Sequence, residues 1–280
     1  MLQQGTPEWL AWRRANIGAS DSPIIMGASK WSTPYELWLY KTGQKEEKPM
    51  NRWMQRGKDL EDEARTLCEK ELGVELFPQC VTSKLNPFMI ASMDGLSLDG
   101  EIAVEIKCPG YTDHQCALHG EVPNNYMWQL QHQMYVCELG SIFYYSYDGN
   151  AGILLQVHRN NDMISSLLQQ AIYFIDCVTS MIPPKLCDRD RIQVTDDSLG
   201  FLERELIACI EAKKEIELQE SSIRERILSK VNMNIETDRL KITRYSMPGR
   251  IDYSKVPQLK DVDLEPYRGK SKECWKITVK

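Results

Sequence analysis

The sequence predicts an α+β (α/β) protein: helices first, then an antiparallel meander, a helix, a hairpin and a closing helix, with a long helix and a small β extension at the C-terminus. Three observations carry that reading. Helix-start signals recur in the first 60 residues, the apolar period shortens to that of strands over 74–107, and a Glu, Lys and Arg-rich stretch follows the double proline Pro183-Pro184. The expected division is a core over 1–185 and an extension over 186–280.

Each element has its own signal. Thr6-Pro7-Glu8 followed by Trp9, Leu10 and Trp12 reads as a cap, a proline at the first helical position and an apolar face, giving a helix to about Asn16. Thr33-Pro34-Tyr35-Glu36 repeats the signal, and Gly43 stops that second helix. A longer helix is expected from Asn51 to Leu72, with Trp53, Leu60, Ala64 and Leu67 on its apolar side and Gly73 beyond its end. Residues 74–107 come in short apolar runs broken by Asn86-Pro87 and Asp99-Gly100, as in a meander. A polar loop over 109–124 leads to a helix from Asn125 to Cys137. Ser141–Tyr147 and Gly152–Val157 alternate around Asp148-Gly149-Asn150 as a second hairpin, and a helix from Asp162 to Ser180 closes the core. Beyond it, 198–231 reads as one charged helix with an incomplete apolar stripe, suited to packing on a partner. The tail, 239–280, reads as short strands around Pro248-Gly249 and at Cys274–Val279.

Composition narrows the function. The 280 residues are 42% hydrophobic and 26% charged, an ordinary globular balance. No apolar run approaches the roughly 18 residues that span a bilayer, and the N-terminus lacks a signal-peptide pattern, so an intracellular protein without membrane contact is expected. Nine cysteines with no Cys-x-x-Cys pair argue against a disulfide framework or zinc ribbon. The net charge of −6 conceals basic ends: 239–280 holds eleven Lys and Arg against five Asp and Glu, and 1–60 holds nine against six. Such ends are electrostatic footprints for a polyanion on an otherwise acidic chain.

The chemistry concentrates in Ala91–Lys107. If Asp99-Gly100 forms a two-residue type I′ turn, Asp94 falls opposite Glu105 and Ser92 opposite Lys107, on one face, with Met93, Ile102, Val104 and Ile106 on the other. Carboxylates that close repel unless neutralised, and a divalent cation with an oxygen shell is the natural neutraliser. Lys107 beside it is placed to orient a water or to stabilise charge developing at phosphorus. Glu-x-Lys alone is weak evidence, since Glu211-Ala212-Lys213 repeats it on an expected helix; the opposed Asp and the turn give it weight.

Asp94 with Glu105-Ile106-Lys107 resembles the core motif of the PD-(D/E)XK nucleases. The wider pattern is similar to their phage lambda exonuclease/YqaJ viral recombinase branch. Arg13 and Ser20 match an early Arg and Ser seven residues apart, Glu61 matches an acidic residue on a helix, and Tyr126 through Tyr135 match a helix bearing Tyr and Gln. The likeness spans about 7–180. It implies a restriction-endonuclease-like core with a central mixed sheet flanked by helices. Asp94, Glu105, the Ile106 carbonyl and Glu61 would hold Mg²⁺, for which Mn²⁺ substitutes, and Lys107 would position the attacking water. Arg13, Ser20 and Ser92 would grip a terminal 5′-phosphate. Gln129 would line the site, with Tyr126 and Gln131 as further candidates; Gln129 and Gln131 point about 200° apart on a helix, and the stripe of Tyr126, Gln129 and Gln133 favours Gln129. The upstream Cys and three-Cys cluster of iron–sulfur relatives have no counterpart, so no such cluster is expected.

The implied activity is Mg²⁺-dependent 5′-to-3′ exonuclease action on linear double-stranded DNA, making 3′ single-stranded ends for phage-type recombination. A single-strand annealing partner, a ring-shaped homotrimer and a cytoplasmic setting in a bacterial host of a phage or prophage go with it. Two alternatives stand beside it: an endonuclease or other DNA-end-processing enzyme of this fold, and a non-catalytic DNA- or partner-binding module.

Overall fold

The computed structural model describes residues 2–46, 51–192 and 199–244, in two compact units that divide after Ile192. In the first unit, α1 (Pro7–Ala15) is capped by Thr6, whose hydroxyl accepts from the Trp9 N–H at 3.3 Å. α3 (Pro34–Lys41) is capped in the same way by Thr33. α4 (Arg52–Leu72) begins on Asn51, whose side chain accepts from Trp53 and Met54, and ends on Gly73 at φ +71°, a left-handed position that glycine fills without strain. These helices fall where their caps predict them. Trp53 does not join the apolar side of α4; it is exposed, and Ala64 and Cys68 are the residues that α4 buries.

Between α1 and α3 lie three short pieces without an apolar period of their own. These are β1 (Ile17–Gly18), a 3₁₀ turn (Ala19–Asp21) and α2 (Ser22–Ile25). They are followed along the chain by β2 (Phe77–Thr82), β3 (Met89–Leu96), β4 (Ala103–Lys107), β5 (Ser141–Tyr147) and β6 (Gly152–His158), and the strands form one six-stranded sheet. The meander and the hairpin are antiparallel as expected, while β4 and β5 pair in parallel and β1 lies parallel to β3, making the sheet mixed. The connection from β4 to β5 runs through α5 (Tyr111–Leu118) and α6 (Asn124–Val136). The polar loop expected over 109–124 is thus partly helical: α5 is held by a buried His114 whose Nδ1 lies 2.9 Å from the Ser146 hydroxyl, a contact 32 residues away that local polarity does not announce.

The sheet is covered on both faces. On one, Met89, Met93, Leu130, Met134, Leu167 and Phe174 belong to the main core, to which α6 and α7 (Asn161–Thr179) contribute. On the other, Val104, Ile106, Tyr145 and Tyr147 pack with Ala64 and Cys68 of α4. Met93 and Ile106 therefore sit in different clusters, and the expectation that they share a face fails. β3 carries one extra residue between the pairs Phe77↔Leu96 and Gln79↔Met93, so a bulge at Asp94-Gly95 breaks the alternation.

The second unit contains α8 (Gly200–Leu228) and a two-stranded ribbon, β7 (Ile235–Glu236) with β8 (Lys241–Ile242). The strands expected around Pro248-Gly249 and at Cys274–Val279 lie outside the described residues. Among the described residues the cysteines are free, and no helix is long and apolar enough to cross a membrane.

Candidate functional site: a carboxylate cluster in a strand fork

The β3–β4 register is the predicted one, with Gly95 opposite Val104 and Leu96 opposite Ala103. Its turn is different. The Gly100 N–H donates to the Ser97 carbonyl, Ser97 pairs with Ile102, and of the two turn residues only Gly100 has positive φ. Asp99 instead uses its carboxylate to accept from the Glu101 N–H and the Ser97 hydroxyl, which favours a four-residue loop over type I′. Both turns are centred at the same point, so the register survives.

Beyond Gly95 the two strands part. Ile90 is paired on both sides, by Gly18 of β1 and Thr82 of β2, so β1 and β4 share one edge of β3, and among the described residues Ala91–Asp94 have no strand partner on that edge. In this fork the Ile106 N–H donates to Asp94 Oδ2 at 2.9 Å, a side chain standing in for a strand carbonyl. The fork brings together most of the residues singled out from the sequence. Glu105 is buried, with Gln129 Nε2 donating to its Oε1 at 2.5 Å, Gln133 donating to Oε2, and Lys107 paired to Oε1. The Lys107 ammonium also lies 5.6 Å from the centre of the Tyr126 ring, which stacks on Tyr144. Glu61 enters from α4, held by Arg65 at 2.8 Å, and Arg65 Nε also donates to the Asp94 carbonyl at 2.7 Å. Its neighbours leave the cluster: Asp62 faces solvent and Glu63 accepts from the Tyr147 hydroxyl.

The electrostatics are those of a site short of positive charge. Burial, then the nearby Glu105 carboxylate, push Asp94 well above the ordinary range of an Asp. Burial raises Glu61 as well, against the pull of Arg65. At Lys107 burial opposes the charge, but the Glu105 and Asp94 carboxylates together outweigh it and the pKa is raised. Among the described residues no three His, Cys, Asp or Glu side chains are drawn into a ready metal cage. The donor set nevertheless fits a hard divalent cation: all side-chain donors are carboxylate oxygens, and two of them have pKa values raised by burial and by neighbouring carboxylates, a repulsion that a cation would relieve.

A second cluster adjoins the first along β3. Arg13 Nη2 donates to the Ser20 hydroxyl at 2.8 Å, and its guanidinium lies over the Trp9 ring, 4.7 Å from the centre. The Trp9 indole N–H donates to the Ser92 hydroxyl at 2.9 Å. Arg13, Ser20 and Ser92 are thus brought together, with Trp9 as the link. Ser92 does not face Lys107, because strand pairing ends at Gly95. Both hydroxyls accept within the protein; the Ser20 hydrogen is left to donate outward, while the Ser92 hydroxyl also lies 3.9 Å from Cys80 Sγ, a pair in which either group can donate. Arg13 adds guanidinium donors, so the cluster presents donors to an anion.

Two candidates separate. Gln131 is turned away: it donates to the His158 carbonyl at 3.0 Å and accepts from the Asn160 N–H at 2.8 Å, tying α6 to the end of β6. Gln129 takes the site side, as the stripe argument favours. The sequence reading missed Arg65 and Trp9, although each is one helical turn from a residue it named, Glu61 and Arg13, and that spacing is the signal that finds them.

Residues 8–140 match the family described as the YqaJ-like viral recombinase domain. The protein YqaJ of Bacillus subtilis (strain 168) is 27% identical over 284 residues, covering 97% of this chain and 83% of its own. Among solved structures, LHK-Exo in complex with dAMP superposes with a TM-score of 0.55 at 25% identity, covering 63% of this chain and 94% of that one. A second structure of this alkaline exonuclease, from Laribacter hongkongensis, gives 0.55 at 23% identity over 73% of this chain and all of that one. Over residues 8–140 the chain is therefore similar to the YqaJ-like viral recombinase domain, and its fold is that of the lambda-exonuclease-like nucleases.

Proposed function

We propose that this nuclease is a Mg²⁺-dependent exonuclease that enters linear double-stranded DNA at an end and degrades the 5′-ended strand. The observation that carries the reading is the adjacency of two unlike clusters on one strand: Ser92 belongs to the cluster of Arg13, Trp9 and Ser20, and Asp94, two residues on, to the acidic fork. A terminal phosphate dianion suits the first and a divalent cation the second, two residues apart on the strand. Terminal phosphate dianions and internal phosphodiester monoanions are then told apart by which cluster they reach.

A cation held by Asp94, Glu105 and the Ile106 carbonyl, with Glu61 reaching it or its water, would supply polarisation of the scissile phosphate and a more acidic water. The protein's own groups do the rest. Gln129 and Gln133 fix the orientation of Glu105, and Lys107, tethered to Glu105, orients the attacking water and stabilises charge building at phosphorus. Arg13, with the hydroxyls of Ser20 and Ser92, holds the terminal 5′-phosphate and sets the register of the first cut. Mn²⁺ substitutes for Mg²⁺, while Ca²⁺ binds with looser coordination and supports little cleavage. The product is a 3′ single strand for a single-strand annealing protein, in a homo-oligomer that keeps the duplex engaged.

Digestion of 5′-phosphorylated linear, 5′-hydroxyl linear and closed circular duplex in Mg²⁺ tests this directly. The phosphorylated end should be consumed fastest and the circle spared. Equal rates on both linear substrates overturn the phosphate grip, and rapid loss of the circle favours an endonuclease.

A further inference from the structure

α8 presents an apolar stripe that the described residues of its own unit leave uncovered: none of its 29 residues is buried. Leu202, Leu206, Ile216 and Ile223 are 58%, 38%, 64% and 53% exposed. A helix of about 43 Å with an uncovered apolar stripe needs a partner to bury it. Counted in sevens, Leu202, Cys209, Ile216 and Ile223 recur at one core position of a coiled coil (d), and Leu199, Leu206, Lys213, Glu220 and Ile227 at the other (a). The flanking e and g positions are acidic at one end, Glu203 and Glu205, and basic at the other, Arg224 and Arg226.

This pattern selects both orientation and register. A parallel in-register pair sets Lys213 on Lys213 and Glu220 on Glu220 inside the seam. An antiparallel pair with Leu206 against Ile223 and Leu202 against Ile227 of the second copy has no such repulsion. It aligns Glu203 with Arg224 and Glu205 with Arg226 across both flanks, four opposite-charge pairs by symmetry. It also puts each Lys213 one core layer from Glu220 of the second copy. Sliding by a heptad either way sets Glu217 against Glu217 or Glu203 against Glu217. Within one helix, Arg224 reaches Glu220 at 2.6 Å and Lys213 reaches Glu217 at 3.7 Å, exposed pairs of little worth by themselves. We propose that α8 is a self-association element, pairing antiparallel with α8 of a second copy of this chain in that one register.

The test uses the full-length chain. Sedimentation equilibrium should give the wild type twice the mass of the R224E/R226E variant, whose flanks set Glu on Glu. The fourfold exchange E203R/E205R/R224E/R226E restores every pair and should restore the doubled mass. With Cys187, Cys209 and Cys274 replaced by Ser, L206C/I223C should form intermolecular disulfides under mild oxidation and L206C alone should not. Equal masses for wild type and R224E/R226E, failure of the exchange to rescue, or cross-linking through L206C alone overturns the proposal. Equal masses with no cross-link in either cysteine variant is the outcome expected if the chain's own residues 245–280 cover the stripe.

Discussion

Acidification should destabilise this protein through His132. His132 is fully buried on α6; its Nε2 lies 3.0 Å from the Ile90 carbonyl, which only accepts, so Nε2 carries the proton and Nδ1 accepts from the Ser22 hydroxyl at 2.7 Å. A second proton would charge a ring cut off from water, and burial pulls its pKa down to about 4. The unfolded chain takes up that proton near pH 6.5 and the folded one does not, so stability is complete above about 6.5 and is lost as the pH falls toward 4. Those two values give a loss of about 2 kcal/mol between pH 7 and 4.5. Asp94 and Glu61, whose pKa values are raised, act with the opposite sign, since protonating them in the fold relieves repulsion. Comparing wild type with H132Q cancels them. Urea unfolding of both from pH 7 to 4.5 should give curves that converge by about 2 kcal/mol. Parallel curves, or a His132 ring resonance that titrates near 6.5 in the native protein, refute the argument.

Further outcomes follow from the fork and its supports. E105Q and K107A should each lower Mg²⁺-dependent digestion by about a hundredfold or more while leaving the circular dichroism spectrum unchanged; activity within tenfold of wild type removes either residue from the chemistry. R13A should equalise digestion of 5′-phosphoryl and 5′-hydroxyl ends without abolishing it, read as the ratio of the two rates. Q131A should lower unfolding free energy by roughly 1–3 kcal/mol with turnover per folded molecule unchanged, whereas Q129A, which takes a donor from buried Glu105, should lower turnover per folded molecule as well. G152A places a Cβ 1.9 Å from the hydroxyl of buried Tyr145 and should cost roughly 1–3 kcal/mol in thermal or urea unfolding.

Much of this structure is written in short-range pattern. The caps at Thr6, Thr33 and Asn51 and the stops at Gly43 and Gly73 are local chemistry, and the helices they bound stand where that chemistry puts them. The fork register was legible because any turn centred between Asp99 and Gly100 gives the same pairing. What local pattern could not give is where pairing stops. The bulge at Asp94-Gly95 needs β2 as a third strand to be visible, and the parting of β3 and β4 depends on β1, a two-residue strand with no signal of its own. For the same reason Ser92 was read as facing Lys107 when its partner is Trp9, 83 residues away. Gln131 and Gln129 were separable by helical geometry, but only the His158 and Asn160 contacts explain why a buried Gln sits at 131.

The fork also explains why its supports are mostly amides. A buried carboxylate such as Glu105 needs donors or it costs several kcal/mol. Arginine or lysine at 129 and 133 would satisfy it and also cancel its charge. Glutamine satisfies it and leaves the charge in place, so Glu105 is oriented yet still electronegative. Arg65 is the counterexample that fits: it neutralises from the α4 side, where it grips Glu61 and the Asp94 carbonyl, and does not contact the Asp94 carboxylate. Among the described residues Lys107 is the one cation paired to Glu105, tethered two residues along the same strand, where it reaches the acidic cluster without closing it from outside. The cluster thus keeps more negative charge than its own cations balance. That imbalance destabilises the free protein and is the attraction a divalent cation meets on binding, so in the proposed reading Q129K should stabilise the fold while weakening divalent-cation affinity. Calorimetric titration with Ca²⁺ alongside urea unfolding reads both, and tighter Ca²⁺ binding by Q129K would contradict the account.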